Sequence, residues 1–259
     1  MDFSDLDPFI ADPGRSALLF DVDGTLAPIV PDPRAAAVPD ATREMLESLA
    51  RRYPVLSCIS GRRAEEARRI VGIDSISYVG NHGLETLAAG AAEPVPNPAA
   101  APYAPAVKAL AQRAHERFAG LGVRLEDKDV IWSLHWRGAP DEEGARAALE
   151  EVAGEAEREG LVPHWGRKVL EIRPPVEADK GTAVAAALDG KPLARALYAG
   201  DDSTDLDAFH KLRALESEGW IEALCVGVQS AEGPEAIVRE ADAVVDGPDG
   251  VAELLRRLS

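Results

Sequence analysis

The sequence predicts an α/β fold: a mostly parallel sheet with helices on both faces, interrupted by a smaller α+β domain. Three observations lead there. Short apolar runs alternate with stretches of helical spacing along both ends of the chain. The alternation breaks in the middle. Prolines bracket the break, at positions 94, 96, 98, 102 and 105 on one side and at 174 and 175 on the other. In chain order, residues 17–20, 55–59, 77–79, 196–199, 224–228 and 243–245 are continuous apolar runs of the kind that form buried parallel strands. Between them, 40–52, 64–71, 180–188, 204–215 and 249–258 place apolar residues at helical intervals. Such alternation folds into a layered parallel sheet, which binds ligands at the carboxyl ends of its strands. The middle reads as a helix (106–119), a tight hairpin (123–127 with 130–137), an Ala/Glu-rich helix (141–159) and a strand (168–173). Four segments result: 1–14, too polar to place; 15–100, the first part of the core; 101–175, the inserted domain; and 176–259, the rest of the core.

The 259 residues, 46% of them hydrophobic, suffice for two cores and exclude a disordered chain. No apolar run approaches the ~20 residues of a membrane-spanning helix. The start, Met1-Asp2-Phe3-Ser4-Asp5, is acidic where a secretory leader would be basic and then apolar. A cytoplasmic protein is expected. With 45 acidic against 28 basic residues, the net charge of −17 repels nucleic acid and anionic membranes, so neither is expected as a partner. Screening over about 8 Å leaves a small phosphorylated substrate admissible. Cys58 and Cys225 lie in apolar runs and read as buried thiols, without disulfide or zinc-ligand spacing.

The strongest chemical signal is Phe20-Asp21-Val22-Asp23-Gly24-Thr25-Leu26, directly after an apolar strand. Carboxylates two residues apart at a strand end point the same way. An acidic turn opening a loop is the bland alternative, and the full motif argues against it. The second signal, Gly200-Asp201-Asp202-Ser203-Thr204-Asp205, also follows an apolar strand, with helix capping as its alternative. In a parallel sheet both clusters share one edge. Two carboxylates ~4 Å apart repel by about 4 kcal/mol at an effective dielectric of roughly 20, so the gathering calls for a cation. Oxygen ligands beside a phosphate favour Mg²⁺. Ser60, in Ser60-Gly61-Arg62, ends a strand and either donates to a phosphate oxygen or caps a helix. Lys180 opens a helix, where basic residues are disfavoured, and is one of only six lysines, which marks it as a charge aimed at an anion.

In this order, Asp21-Val22-Asp23-Gly24-Thr25, Ser60, Lys180 and Gly200-Asp201-Asp202 resemble the haloacid dehalogenase-like (HAD) phosphatases, which implies a Rossmann-like HAD core with an inserted cap domain. Gly80-Asn81-His82-Gly83-Leu84-Glu85, Leu125-Glu126-Asp127-Lys128, Ser133-Leu134-His135-Trp136-Arg137 and Val169-Leu170-Glu171-Ile172-Arg173-Pro174 narrow the resemblance to the trehalose-6-phosphate phosphatase family. It covers the chain from about residue 16 to the end. One departure is Leu206, where that family usually carries Glu.

The resemblance implies hydrolysis of a phosphorylated disaccharide through an aspartyl-phosphate on Asp21. Asp23 then protonates the leaving oxygen and later activates water. Asp21, the Asp23 carbonyl and Asp201 are the implied Mg²⁺ ligands, with Asp202 and Asp205 holding metal-bound waters or orienting Lys180. Ser60 and Lys180 stabilise the transferring group. Gly61, Arg62, Asn81 and His82 are implied substrate contacts at the catalytic edge, His82 alternatively capping a turn. Strand alternation puts Ser133, His135 and Arg137 on one face of the inserted domain, and Glu126 with Lys128, and Glu171 with Arg173, on shared faces. Glu126, Lys128, Ser133, His135, Arg137, Lys168 and Glu171 are the implied sugar contacts, against the alternative of a solvated face with cross-strand ion pairs. The proline-rich joints imply closure over the substrate. A HAD phosphatase of another sugar phosphate (a sucrose- or glycosyl-phosphoglycerate-type ester) is the nearest rival, followed by a catalytically silent sugar-phosphate sensor. The sequence identifies no protein partner.

Overall fold

The computed structural model describes residues 3–166, 168–230 and 233–259. The chain divides into two compact units, one formed by residues 1–95 with 178–259 and the other by 96–177. In chain order the elements are α1 (Asp7–Ala11), β1 (Ser16–Phe20), α2 (Asp40–Ala50), β2 (Val55–Ile59), α3 (Ala64–Val71), β3 (Ser77–Gly80), β4 (Glu85–Leu87) and β5 (Val95–Pro96). The middle holds α4 (Ala104–Phe118), β6 (Arg124–Lys128), β7 (Ile131–His135), α5 (Glu142–Arg158), β8 (Val162–Gly166) and β9 (Val169–Arg173). The chain ends with α6 (Lys180–Leu188), β10 (Arg195–Gly200), α7 (Asp205–Ser217), β11 (Glu222–Gln229), α8 (Glu235–Glu240), β12 (Ala243–Asp246) and α9 (Gly247–Leu258).

The larger unit is built on a sheet of strand order β12-β11-β10-β1-β2-β3-β4-β5. Pairing from β12 to β3 is parallel, and β4 turns back antiparallel on β3. Strands β1 and β2 are buried at every residue, because apolar side chains meet helices on both faces. One core cluster joins Leu18, Phe20 and Leu56 to Leu46, Leu49, Leu254 and Leu255; the other joins Leu19 and Tyr198 to Val184 and Phe209. Leu206 packs against the second of these, as an apolar residue in that position should. Cys58 and Cys225 are buried free thiols, and burial pushes Cys225 up to about 12.

Several elements go beyond the sequence reading. The first fourteen residues, apart from the undescribed Met1 and Asp2, are not featureless. They form a 3-10 turn over Phe3–Leu6 and then α1, because Leu6 and Phe9 are buried in the first core cluster. Strand β4 is too short to show a period. Glu85 within it is buried and accepts the Ala64 amide at 2.6 Å, capping α3, which has no side-chain cap of its own.

The smaller unit is a four-stranded antiparallel sheet, β6-β7-β9-β8, with α4 and α5 on one face. Its core contains Trp132, Leu134, Trp136, Leu170 and Ile172 against Leu110, Leu149 and Val152. Asp141 caps α5 by accepting the Gly144 amide at 2.9 Å. Strand β8 carries Pro163, which an edge strand tolerates and a central one does not. Among the described residues, no helix is long and apolar enough to cross a membrane.

Candidate active site

Parallel register brings the functional side chains together. Phe20 pairs with Ala199 on one side and Cys58 on the other, so β1, β10 and β2 end level. Asp21, Asp201 and Ser60 follow those ends and leave the sheet at the same edge. The Asp21 amide extends the ladder by donating to the Ala199 carbonyl at 2.9 Å. Lys180 enters from α6, whose start is fixed by a capping box between Asp179 and Thr182.

Lys180 is 3% exposed, and its Nζ donates to Asp21 Oδ1 and to Asp205 Oδ1, each at 2.6 Å. Asp205 Oδ1 also accepts the Tyr198 hydroxyl at 2.6 Å. Its Oδ2 accepts the Asp201 and Asp202 amides at 3.0 and 2.9 Å. Asp205 therefore does not cap α7. It turns back and fixes the loop from β10. Asp201 Oδ1 accepts Thr25 Oγ1 at 3.2 Å. Two glycines make this closeness possible. Gly24 has φ +84°, and a Cβ there would lie 2.2 Å from Asp201 Oδ2, while a Cβ on Gly200 would lie 2.2 Å from Asp205 Cγ.

Carboxylate oxygens of Asp21, Asp201 and Asp205 lie within 4.8 Å of one another. Burial drives Asp21 well above the ordinary carboxylate range; Lys180 opposes the rise and Asp205 adds to it. Burial and then the Asp205 charge push Asp201 up to about 6. Burial alone would lower the Lys180 ammonium, but Asp205 and Asp21 more than offset it, leaving its pKa raised. The cluster thus holds more negative charge than one lysine neutralises, and its all-oxygen donor set fits a hard divalent cation. Asp205 commits both oxygens to four donors, so Asp21 and Asp201 are the carboxylates suited to an ion.

The remaining core residues form a second shelf along this edge. Arg62 grips Asp23 with both prongs, Nε–Oδ2 at 2.6 Å and Nη2–Oδ1 at 2.7 Å, and also bonds Glu66. Ser60 is buried, and its Oγ accepts the Arg62 amide at 3.2 Å. Asn81 and His82 both have positive φ, 49° and 55°. Their amides donate to the Arg62 and Ser60 carbonyls, locking the two loops together. The His82 ring lies against Gly61, where a Cβ would come within 2.6 Å of Nε2. Asp202 stays exposed, its Oδ1 taken by the Ser203 amide and hydroxyl. Sequence reasoning missed the roles of Thr25 and Tyr198. The first carries no signal beyond its place in the acidic motif, and the second sits in an apolar run where only its hydroxyl could signal a polar partner.

In the smaller unit, β6–β7 pairing sets Glu126 opposite Ser133, and β7–β9 pairing sets Ser133 opposite Glu171. Glu171 accepts Lys128 Nζ at 2.9 Å, Arg173 Nη2 at 2.5 Å and Ser133 Oγ at 3.3 Å. Burial would raise it, but Lys128 and then Arg173 more than offset this and lower it to about 2. Glu126 bonds His135 Nε2 at 2.7 Å. Glu126, Lys128, Ser133, His135 and Glu171 therefore share one polar face. Lys168 and Arg137 lie outside the strands that form it. Lys168 is not in a strand but in the turn before β9, with φ +65°, and its Nζ meets Glu142 at 2.6 Å. Strand β7 ends at His135, so alternation does not reach Arg137, which is exposed in the following turn.

Comparison with known proteins places this geometry in a family. The trehalose-phosphatase family model matches residues 19–240. A trehalose-phosphate phosphatase of Mycobacterium marinum is 38% identical over 202 residues, covering 75% of this chain and 51% of that protein. The chain thus spans about half the length of the curated relatives it matches. The C-terminal domain of Candida albicans trehalose-6-phosphate phosphatase superposes with a TM-score of 0.73 at 25% identity, covering 100% of this chain and 96% of that one. A haloacid dehalogenase-like hydrolase from Bacteroides thetaiotaomicron shares the fold at 17% identity, with a TM-score of 0.62 over 95% of this chain and 100% of that one. With its acidic strand ends, its buried lysine and an antiparallel unit inserted in the sequence of a HAD-like core, the chain belongs to the trehalose-phosphatase family.

Proposed function

We propose that the chain is a Mg²⁺-dependent phosphatase that hydrolyses trehalose 6-phosphate to trehalose and phosphate through an aspartyl-phosphate on Asp21. The observation that carries this reading is the buried Lys180 bridging Asp21 and Asp205 at 2.6 Å, with Asp201 beside them. A carboxylate held against an ammonium at a strand end is a positioned nucleophile, and splitting hydrolysis into two steps divides a very large barrier. Asp21 Oδ attacks phosphorus, the ester oxygen leaves with a proton from Asp23, and water later frees the phosphate with Asp23 as base. Arg62 forks onto both oxygens of Asp23, so Asp23 has to leave that fork to meet the ester oxygen. Lys180 and Ser60 offset charge on the transferring group. Asp21, Asp201 and the Asp23 carbonyl would hold Mg²⁺, which would supply positive charge to offset the phosphate oxygens. The polar face of Glu126, Lys128, Ser133, His135 and Glu171 offers ionic and hydrogen-bonding groups suited to sugar hydroxyls, which is the basis for proposing a disaccharide.

The test is phosphate release from a panel of sugar phosphates, with Mg²⁺ and then with a chelator. Trehalose 6-phosphate should be the best substrate, and the chelator should abolish turnover. Preference for a sucrose- or glycosyl-phosphoglycerate-type ester would overturn the substrate while leaving the chemistry. Asp21→Asn should remain folded and lose turnover; near-normal release from that variant would remove Asp21 from the nucleophile's role.

A further inference from the structure

Tyr198 is fully buried in β10, three residues before Asp201, with its ring edge-on to Phe209. Its hydroxyl and Lys180 Nζ donate to the same atom, Asp205 Oδ1, each at 2.6 Å. The other oxygen of that carboxylate takes the amides of Asp201 and Asp202. One carboxylate therefore ties together the ammonium facing Asp21, the main chain that carries Asp201, and a phenol. Packing does not require the phenol's oxygen, because phenylalanine would fill the same volume against Phe209. Charge balance does not require it either, because the hydroxyl is neutral. What the hydroxyl supplies is a third direction of restraint. With only Lys180 on Oδ1 and two amides on Oδ2, the carboxylate is free to tilt toward the ammonium and draw it from Asp21.

We propose that Tyr198 is a positioning residue: its hydroxyl holds Asp205 at the angle that keeps Lys180 against Asp21 and the Asp201 main chain in place. This rests on reading the site as a phosphatase centre. Misplacement of catalytic groups by about 1 Å costs up to ~10²-fold in rate, and hydrogen bonds to charged groups are the stronger kind. Tyr198 lies beneath the cluster and acts through Asp205, so its loss falls on kcat and not on KM.

The experiment measures kcat and KM of the intact chain in Mg²⁺ with p-nitrophenyl phosphate and with trehalose 6-phosphate. The proteins are wild type, Tyr198→Phe, Asp205→Asn and the double variant, the last two by single turnover, each first shown to be folded by thermal melting. Tyr198→Phe should lower kcat about tenfold and leave KM within about twofold on both substrates. In the Asp205→Asn background the same change should cost less than about threefold, because the carboxylate it acts through is gone. Phe209→Leu, which disturbs the ring's packing and leaves the hydroxyl, should keep kcat within about twofold of wild type. An equal factor in both backgrounds, a loss confined to KM, an unchanged kcat, or an equal loss from Phe209→Leu would each overturn the proposal. Failure of wild type on trehalose 6-phosphate with turnover of p-nitrophenyl phosphate would instead fault the substrate assignment, and the comparison of variants would still be read on the generic ester.

Discussion

Glu171 is where the electrostatics of the smaller unit can be weighed. Its side chain is 11% exposed and takes bonds from Lys128, Arg173 and Ser133. Its pKa falls from 4.5 to about 2. At ~1.36 kcal/mol for each tenfold change, that difference is worth about 3 kcal/mol of folding free energy at neutral pH. The sign follows from the direction: a carboxylate lowered in the folded state stabilises above its unfolded value, and the contribution is lost as pH falls from about 4.5 to about 2. Replacing Glu171 with Gln removes the titration while keeping the shape. Three of the four tryptophans, Trp132, Trp136 and Trp165, belong to this unit, so tryptophan fluorescence in urea follows its unfolding. The stability difference between wild type and Glu171→Gln should shrink by about 3 kcal/mol between pH 6 and pH 2. A difference that stays constant across that range would refute the assignment.

Three further perturbations probe the rest of the site. Lys180→Met leaves Asp21 and Asp205 buried together without their ammonium, and should cost ~3–5 kcal/mol in urea unfolding along with all measurable turnover; a loss below about 1 kcal/mol would mean the pair is solvated. Gly24→Ala puts a Cβ 2.2 Å from Asp201 Oδ2 at a φ of +84°, so phosphate release should need more Mg²⁺ for half-maximal rate; an unchanged Mg²⁺ midpoint would show that Asp201 does not hold the ion. Glu126→Ala should reduce turnover of trehalose 6-phosphate far more than that of p-nitrophenyl phosphate, and equal losses on both would remove Glu126 from sugar recognition.

The parallel core was legible because its strands are buried on both faces and so appear as unbroken apolar runs, as in Leu18-Leu19-Phe20. The acidic strand ends were legible for a related reason: carboxylates directly after such runs lie where a parallel sheet binds ligands, which outweighs their readings as a turn or a helix cap. Short or edge elements were not legible. Strand β4 has three residues, and β8 contains a proline and is exposed along most of its length. Lys168 and Arg137 escaped for another cause, since alternation says which face a side chain takes only while the strand lasts. Tyr198 and Thr25 show a deeper limit. Burial can be read from pattern, but the partner of a buried hydroxyl cannot, whether it stands seven residues on, as Asp205 does for Tyr198, or far away in the chain, as Asp201 does for Thr25.

The central strand of the core takes its two neighbours from opposite ends of the chain. β2 follows soon after β1, while β10 comes only after the whole inserted unit. A polypeptide leaving the ribosome amino end first therefore leaves one flank of a strand that is buried at every residue in the fold without its partner through most of its synthesis. During that interval Asp21 has no ammonium beside it, because Lys180 lies 159 residues further on. The inserted unit pairs its strands within itself and can fold first, as an island. The acidic cluster is consequently completed only once β10 and the start of α7 have emerged to bring Asp201 and Asp205 beside Asp21.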